Sequence, residues 1–198
     1  MTSPASVEGD ERLRLFLALR LPSDVVSALV GWQERELRPA LRSGHPRLVP
    51  AGNLHVTLAF LGSRPRRELA AIVSVLRDCA ATAGAIALEA DGYRETRSVA
   101  MLTFRDRSGA AVALAGRVQE ELEALGVYRR EGRPWLPHVT VLRFRERPRL
   151  SPPLPELGAI APSDAAAFLS RLHPSGARYE VLESFALPTG TALPTGTA

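Results

Sequence analysis

One triplet occurs twice in this chain, each time in the same setting. Leu54-His55-Val56-Thr57-Leu58-Ala59-Phe60 and Pro137-His138-Val139-Thr140-Val141-Leu142 are both apolar and rich in β-branched residues, and both enclose His-Val-Thr. Such composition predicts a β-strand. Side chains alternate along a strand, so each His shares a face with the Thr two residues on, while the intervening Val points into the opposite layer. One strand histidine is ordinarily a hydrogen-bonded structural residue. A second copy of the same polar pair on another greasy strand points to a fold that brings the two together.

The segments before the triplets also repeat. Leu13 to Leu21 alternates leucines against Arg14, Phe16, Ala18 and Arg20, the pattern of a strand. Pro22 and Ser23 then open a helix carrying Val25, Val26, Leu29, Trp32 and Leu37, which Pro39 ends. A loop through Gly44, Pro46 and Pro50 leads to the first triplet. Further on, Val99 to Phe104 reads as a strand. Ser108 caps a helix with Ala111, Leu114, Ala115, Val118, Leu122 and Leu125 on one stripe, stopped by Gly126, and a loop over Glu131 to Pro137 leads to the second triplet. The order strand, helix, loop, His-Val-Thr strand thus appears twice, the signature of an internal duplication.

Between the copies, Ser63 and Pro65 start a helix that Gly84 caps, followed by strands near Ile86 to Ala90 and Tyr93 to Phe104. A Pro-rich connector (Pro148 to Pro162) and two strands, near Ala165 to Leu172 and Arg178 to Leu187, complete the chain. The expected fold is α+β, with two pseudo-symmetric lobes of antiparallel sheet flanked by helices and the active-site cleft between them. Residues 12–187 form this bilobal unit. Residues 1–11 and 188–198, the latter carrying LPTGTA twice together with Leu187, are expected to be disordered tails.

Composition excludes several chemistries. All 25 basic residues are arginine, so the chain offers no lysine nucleophile, no Schiff base and no P-loop lysine. The single Cys79 rules out an internal disulfide and suits a reducing compartment. No leader-like or membrane-length apolar run occurs, so a cytoplasmic protein away from membranes is expected. The net charge of +4 and a pI near 10.1 favour a polyanionic partner. Seven arginines between Tyr128 and Arg149 form either a solvated basic edge or an RNA-phosphate track. Trp135 and Phe16 are core residues or platforms for a base. His45 and His173 lack a Thr partner and receive no role.

Two imidazoles across a cleft suit paired general acid–base catalysis at phosphorus. One ring takes a proton from the attacking water and the other gives one to the leaving oxygen. The Thr57 and Thr140 hydroxyls beside them can serve the non-bridging oxygens. No Asp, Glu or Cys accompanies either motif at ligand spacing, so neither a metal nor a cofactor is expected. Strict alternation sets Arg143 on the face opposite His138, and it reaches a bound phosphate only if the strand twists or bulges.

These motifs resemble the two-histidine (2H) phosphoesterase superfamily, defined by two H-x-[ST]-x motifs, one in each lobe of a pseudo-symmetric fold. RLFLAL, NLHVTLAFLG, WLPHVTVLRF and GARYEVLESFAL are similar to its RNA 2′,3′-cyclic phosphodiesterase branch, also called the 2′-5′ RNA ligase family. The resemblance runs from Arg14 to Leu187. It implies metal-independent hydrolysis of a terminal RNA 2′,3′-cyclic phosphate to a 2′-phosphomonoester. His55 would be the proton donor and His138 the base; Thr57, Thr140 and, by position, Arg143 would bind the phosphate. It also implies RNA ends as substrate, tRNA fragments among them, a monomeric enzyme, and ATP-independent 2′-5′ ligation in reverse. The alternatives are a non-catalytic module that binds RNA ends or nucleotides, and a phosphodiesterase for small cyclic nucleotides or 2′-5′ oligonucleotides.

Overall fold

The computed structural model describes residues 11–41, 46–174 and 176–188. The disorder expected of the tails falls almost wholly on residues 1–10 and 189–198, outside the described residues, as does His45. Eight strands form one antiparallel sheet: β1 (Arg12–Arg20), β2 (Arg47–Leu48), β3 (His55–Pro65), β4 (Leu88–Glu95), β5 (Val99–Asp106), β6 (His138–Arg143), β7 (Asp164–His173) and β8 (Gly176–Ala186). Their order is β4-β5-β6-β3-β1-β7-β8, with β2 also pairing β6. Among the described residues, three α-helices accompany these eight strands: α1 (Ser23–Trp32), α2 (Leu69–Ala81) and α3 (Ala110–Ala124).

The two lobes are the two halves of this sheet. Strands β4-β5-β6 make one and β3-β1-β7-β8 the other, and they join where the two His-Val-Thr strands meet. Each lobe owes its layout to alternation in its strands. In β1, Leu13, Leu15, Leu17 and Leu19 point into the main core, where the buried faces of α1, α2 and α3 meet them through Val25, Leu29, Ile72, Leu76, Leu114 and Val118. Phe16 and Ala18 point the other way and join Ala166, Phe168 and Tyr179 in a small second cluster. The central strand β1 is therefore covered on both sides. Removing a core side chain such as Leu17 should cost about 2–5 kcal/mol.

Several boundaries differ from the sequence reading; the strand expected near Ile86 to Ala90 runs from Leu88 to Glu95 and takes in Tyr93. Ser63 and Pro65 do not start a helix: β3 runs through Pro65, paired with β1 as far as Arg12, and the Arg12 guanidinium donates to both the Ser63 hydroxyl and its carbonyl. The helix begins after a 3-10 turn over Arg66–Glu68. Nor does Gly84 cap it: the helix ends at Ala81, with Thr82 at its C-cap. Gly126, with φ of 75°, does close α3. The Ser108 oxygen accepts from the Ala110 N–H and an Asp106 carboxylate oxygen from the Val112 N–H, so two side chains serve the start of that helix. Cys79 is buried in the core, where burial pushes its thiol pKa up and keeps it protonated. Among the described residues, no helix is long and apolar enough to cross a membrane.

Candidate active site

A single rung joins the two triplets. Val56 of β3 pairs with Val139 of β6 in antiparallel register, and both valines are fully buried. That register sets His55 across from Thr140, and Thr57 across from His138, on the face turned away from the valines. The chain thereby turns a sequence repeat into a local two-fold axis passing between Val56 and Val139. All four polar side chains line one cleft of about 720 Å³.

Both strands then bulge at the same place. In β3, Ala18 pairs with Thr57 and Leu17 with Ala59, leaving Leu58 as an extra residue. In β6, Met101 pairs with Thr140 and Ala100 with Leu142, leaving Val141 extra. Each bulge falls three residues after its histidine and inverts the alternation beyond it. The burial sequence from His55 to Phe60 consequently matches that from His138 to Arg143: two half-buried polar residues around a buried valine, two consecutive buried residues, then an exposed one. The bulge at Val141 brings Arg143 to the cleft, the condition that strict alternation had denied it. The first strand carries Phe60 at the corresponding place, half exposed, with the Arg14 guanidinium 4.9 Å from its ring centre.

The histidines share a backbone arrangement and differ in their surroundings. His138 donates from Nδ1 to the carbonyl of Leu136 at 2.8 Å, which leaves Nε2 as its free acceptor. His55 lies against the backbone of Asn53, likewise two residues earlier, and its Nε2 is 3.1 Å from the Thr57 hydroxyl. Three aromatic rings wall it in: Phe16 at 4.8 Å, Tyr179 at 5.4 Å and Phe168 at 5.9 Å between centroids. That burial pushes the His55 pKa from 6.5 down to about 4, with the positive fields of His138 and Arg143 acting in the same direction and the Asn53 backbone against them. That burial holds His55 neutral near pH 7.

Other elements complete the walls. Asn53, in the 3-10 turn Ala51–Asn53 ahead of β3, donates from its side chain to the carbonyl of Ala177 at 2.8 Å and ties the first motif to β8. Trp135 donates from Nε1 to the carbonyl of Thr57 at 2.9 Å, so the residue ahead of the second motif fixes the backbone of the first. Phe16 is core and backs His55, and neither it nor Trp135 is the exposed ring of the cleft. That ring is Phe60. Of the seven arginines between Tyr128 and Arg149, Arg133 and Arg143 line the cleft, whereas Arg130 donates to the Gly116 carbonyl and Arg147 pairs with Glu95. Three arginines that sequence reasoning passed over, Arg14, Arg47 and Arg178, line it from β1, β2 and β8. Arg14 had a readable signal, since it alternates in step with Phe16 on β1. Among the described residues, no group of three or more His, Cys, Asp or Glu side chains could hold a metal ion.

A cleft with two imidazoles, two threonine hydroxyls beside them and five arginines is equipped to bind a phosphate ester and move protons on either side of it. The comparisons with known proteins bear on which family built it. The model of the 2′-5′ RNA ligase superfamily matches residues 24–172. The RNA 2′,3′-cyclic phosphodiesterase of Thermus thermophilus is 34% identical over 185 residues, spanning 88% of this chain and 90% of that protein. The Escherichia coli K12 protein of the same name is 27% identical over 180 residues, spanning 89% and 98%. Among solved structures, apo E. coli LigT superposes with a TM-score of 0.73 at 26% identity, covering 91% of this chain and all of LigT. A crystal structure of LigT with 3′-AMP gives the same TM-score at 25% identity and the same coverage. On the family match and the shared architecture, this chain belongs to the 2′-5′ RNA ligase superfamily.

Proposed function

We propose that this chain is an RNA 2′,3′-cyclic phosphodiesterase that opens the terminal ring to a 2′-phosphomonoester by two-histidine acid–base catalysis. The observation that carries the reading is the Val56–Val139 rung, which sets both His-Thr pairs on one face of one cleft. His138 is oriented as the base, because its Nδ1 proton is committed to Leu136 and Nε2 is left to take a proton from water. The water oxygen attacks phosphorus and the bond from phosphorus to the 3′ oxygen breaks. His55 gives its proton to that oxygen, leaving a free 3′-hydroxyl. The Thr57 and Thr140 hydroxyls and the Arg143 guanidinium hold the non-bridging oxygens as charge develops.

His55 must be protonated to act so, and burial opposes this. An entering phosphate anion reverses the balance, since its negative charge beside the ring favours imidazolium. Substrate binding then charges the acid. A 5′-hydroxyl in place of water gives a 2′-5′ linkage by the same route without ATP, and tRNA fragments with cyclic ends are substrates of fitting chemistry. Both triplets come from one chain, which supports a monomeric enzyme, and a reducing, cytoplasmic setting agrees with a lone buried cysteine.

The test is a short RNA ending in a 2′,3′-cyclic phosphate, incubated with the protein in EDTA. A 2′-monoester is the expected product. A 3′-monoester, or an intact ring bound without turnover, contradicts the proposal.

A further inference from the structure

A strand bulge leaves its extra residue outside the ladder, so its backbone groups need partners from elsewhere. Here each bulge carbonyl accepts from a glutamine, and that of Val141 also accepts from the Val49 N–H at 3.0 Å. Gln33 donates from Nε2 to the carbonyl of the bulge residue Val141 at 2.7 Å, and to that of Val49 at 3.1 Å. Gln119 donates from Nε2 to the carbonyl of the other bulge residue, Leu58, at 2.9 Å. Val141 and Leu58 are buried, so the side chain of each is shut off from water.

The two contacts cross between the repeated units. Gln33 follows α1, in the first unit, and clamps β6 of the second. Gln119 lies in α3, in the second unit, and clamps β3 of the first. Gln33 is itself 2% exposed and opens a π-helical turn, Gln33–Leu37, a local widening of the helix that often marks functional places. Beyond each clamped carbonyl, two residues on, stands a cleft residue: Arg143 after Val141 and Phe60 after Leu58.

We propose that Gln33 and Gln119 are positioning residues that lock the paired bulges, Gln33 fixing where Arg143 meets the phosphate and Gln119 fixing where Phe60 meets the nucleoside. This rests on the reading of the cleft as a nucleotide phosphate site. The two histidine-threonine pairs are related by symmetry and do not by themselves distinguish one end of a ligand from the other. Arg143 and Phe60 occupy equivalent places with opposite chemistry, so they give the cleft its direction. The glutamines hold that asymmetry in place.

Binding of inorganic phosphate and of 3′-AMP to the full chain, followed by titration calorimetry, tests this. Gln33→Met and Arg143→Ala should each weaken both ligands about tenfold, the scale of a charge-assisted contact. Gln119→Met and Phe60→Ala should weaken 3′-AMP about tenfold, the scale of one stacked base, and leave inorganic phosphate unchanged. The double variants decide between positioning and general loosening. Gln33→Met with Arg143→Ala should bind no worse than Arg143→Ala alone, and Gln119→Met with Phe60→Ala no worse than Phe60→Ala alone. The crossed pairs should multiply. Matched pairs that multiply as crossed pairs do, or glutamine variants that bind like wild type, overturn the proposal. If Arg143→Ala and Phe60→Ala themselves bind like wild type, the reading of the cleft falls as well. Gln33→Glu, which keeps the size and loses the donor, replaces Gln33→Met should the latter not fold, and Gln119 is only half-buried.

Discussion

The Phe16 ring packs 4.8 Å from the His55 ring, tilted by 30°, with Phe168 stacked 4.8 Å from Phe16 and 5.9 Å from the same histidine. This aromatic wall stands against one histidine of a symmetric pair and desolvates it. An NMR titration should place His55 near pH 4, against an ordinary 6.5. Phe16→Leu, which thins the wall, should move it upward. A wild-type His55 titrating near 6.5 would remove the basis for this asymmetry.

The same burial links folding to pH. The folded-state value of about 4 lies below the unfolded 6.5, so the unfolded chain takes up the proton first and acid favours unfolding. The native state should lose stability from His55 as pH falls from about 6.5 to 4, by up to about 3 kcal/mol, with no further loss below. Carboxylates add their own slope, so the comparison is with His55→Asn, measured by urea denaturation at pH 7 and 4.5. The variant should lose less than wild type between those values. Equal losses would contradict the assignment.

Because an anion in the cleft offsets the desolvation of His55, ligand binding should draw a proton from solution. Calorimetric enthalpies for 3′-AMP at pH 6.5 should vary with the ionisation enthalpy of the buffer, with net uptake approaching one proton. Enthalpies independent of the buffer would show that His55 stays neutral in the complex.

The threonine hydroxyls carry a separate prediction. Thr57→Val and Thr140→Val keep the strand shape and remove a donor aimed at the phosphate, so kcat should fall about 10²-fold, the scale of one lost oxyanion donor. Thr57→Ser and Thr140→Ser should recover most of it. Valine variants at wild-type rate would confine the threonines to a structural part, such as the 3.1 Å contact of Thr57 with His55.

How much of this was legible in the sequence depends on the kind of feature. Alternation of Leu13 to Leu21, the stripes of α1 and α3, and the shared face of each His-Thr pair follow from side-chain period alone, and the repeat of strand, helix and triplet pointed to two lobes. The far end of β3 was not legible. Ser63-Arg64-Pro65 reads as a helix start, and its pairing with Arg14, Leu13 and Arg12 keeps it a strand. Bulges are harder still, since one extra residue leaves no mark in composition, yet those at Leu58 and Val141 decide that Phe60 and Arg143 meet the cleft. Their clamps did leave a trace. Gln33 stands between Leu29 and Leu37 at four-residue spacing on an otherwise apolar stripe, where a polar side chain needs a reason.

Turnover of an RNA ending in 2′,3′-cyclic phosphate by His55→Ala, His138→Ala and the double variant tests the central claim most directly. Two rings acting as one unit on a single phosphate predict that either replacement alone lowers kcat by about 10²–10⁴. The double variant should then fall little further. Wild-type turnover in either single variant, or losses that multiply in the double, would contradict it.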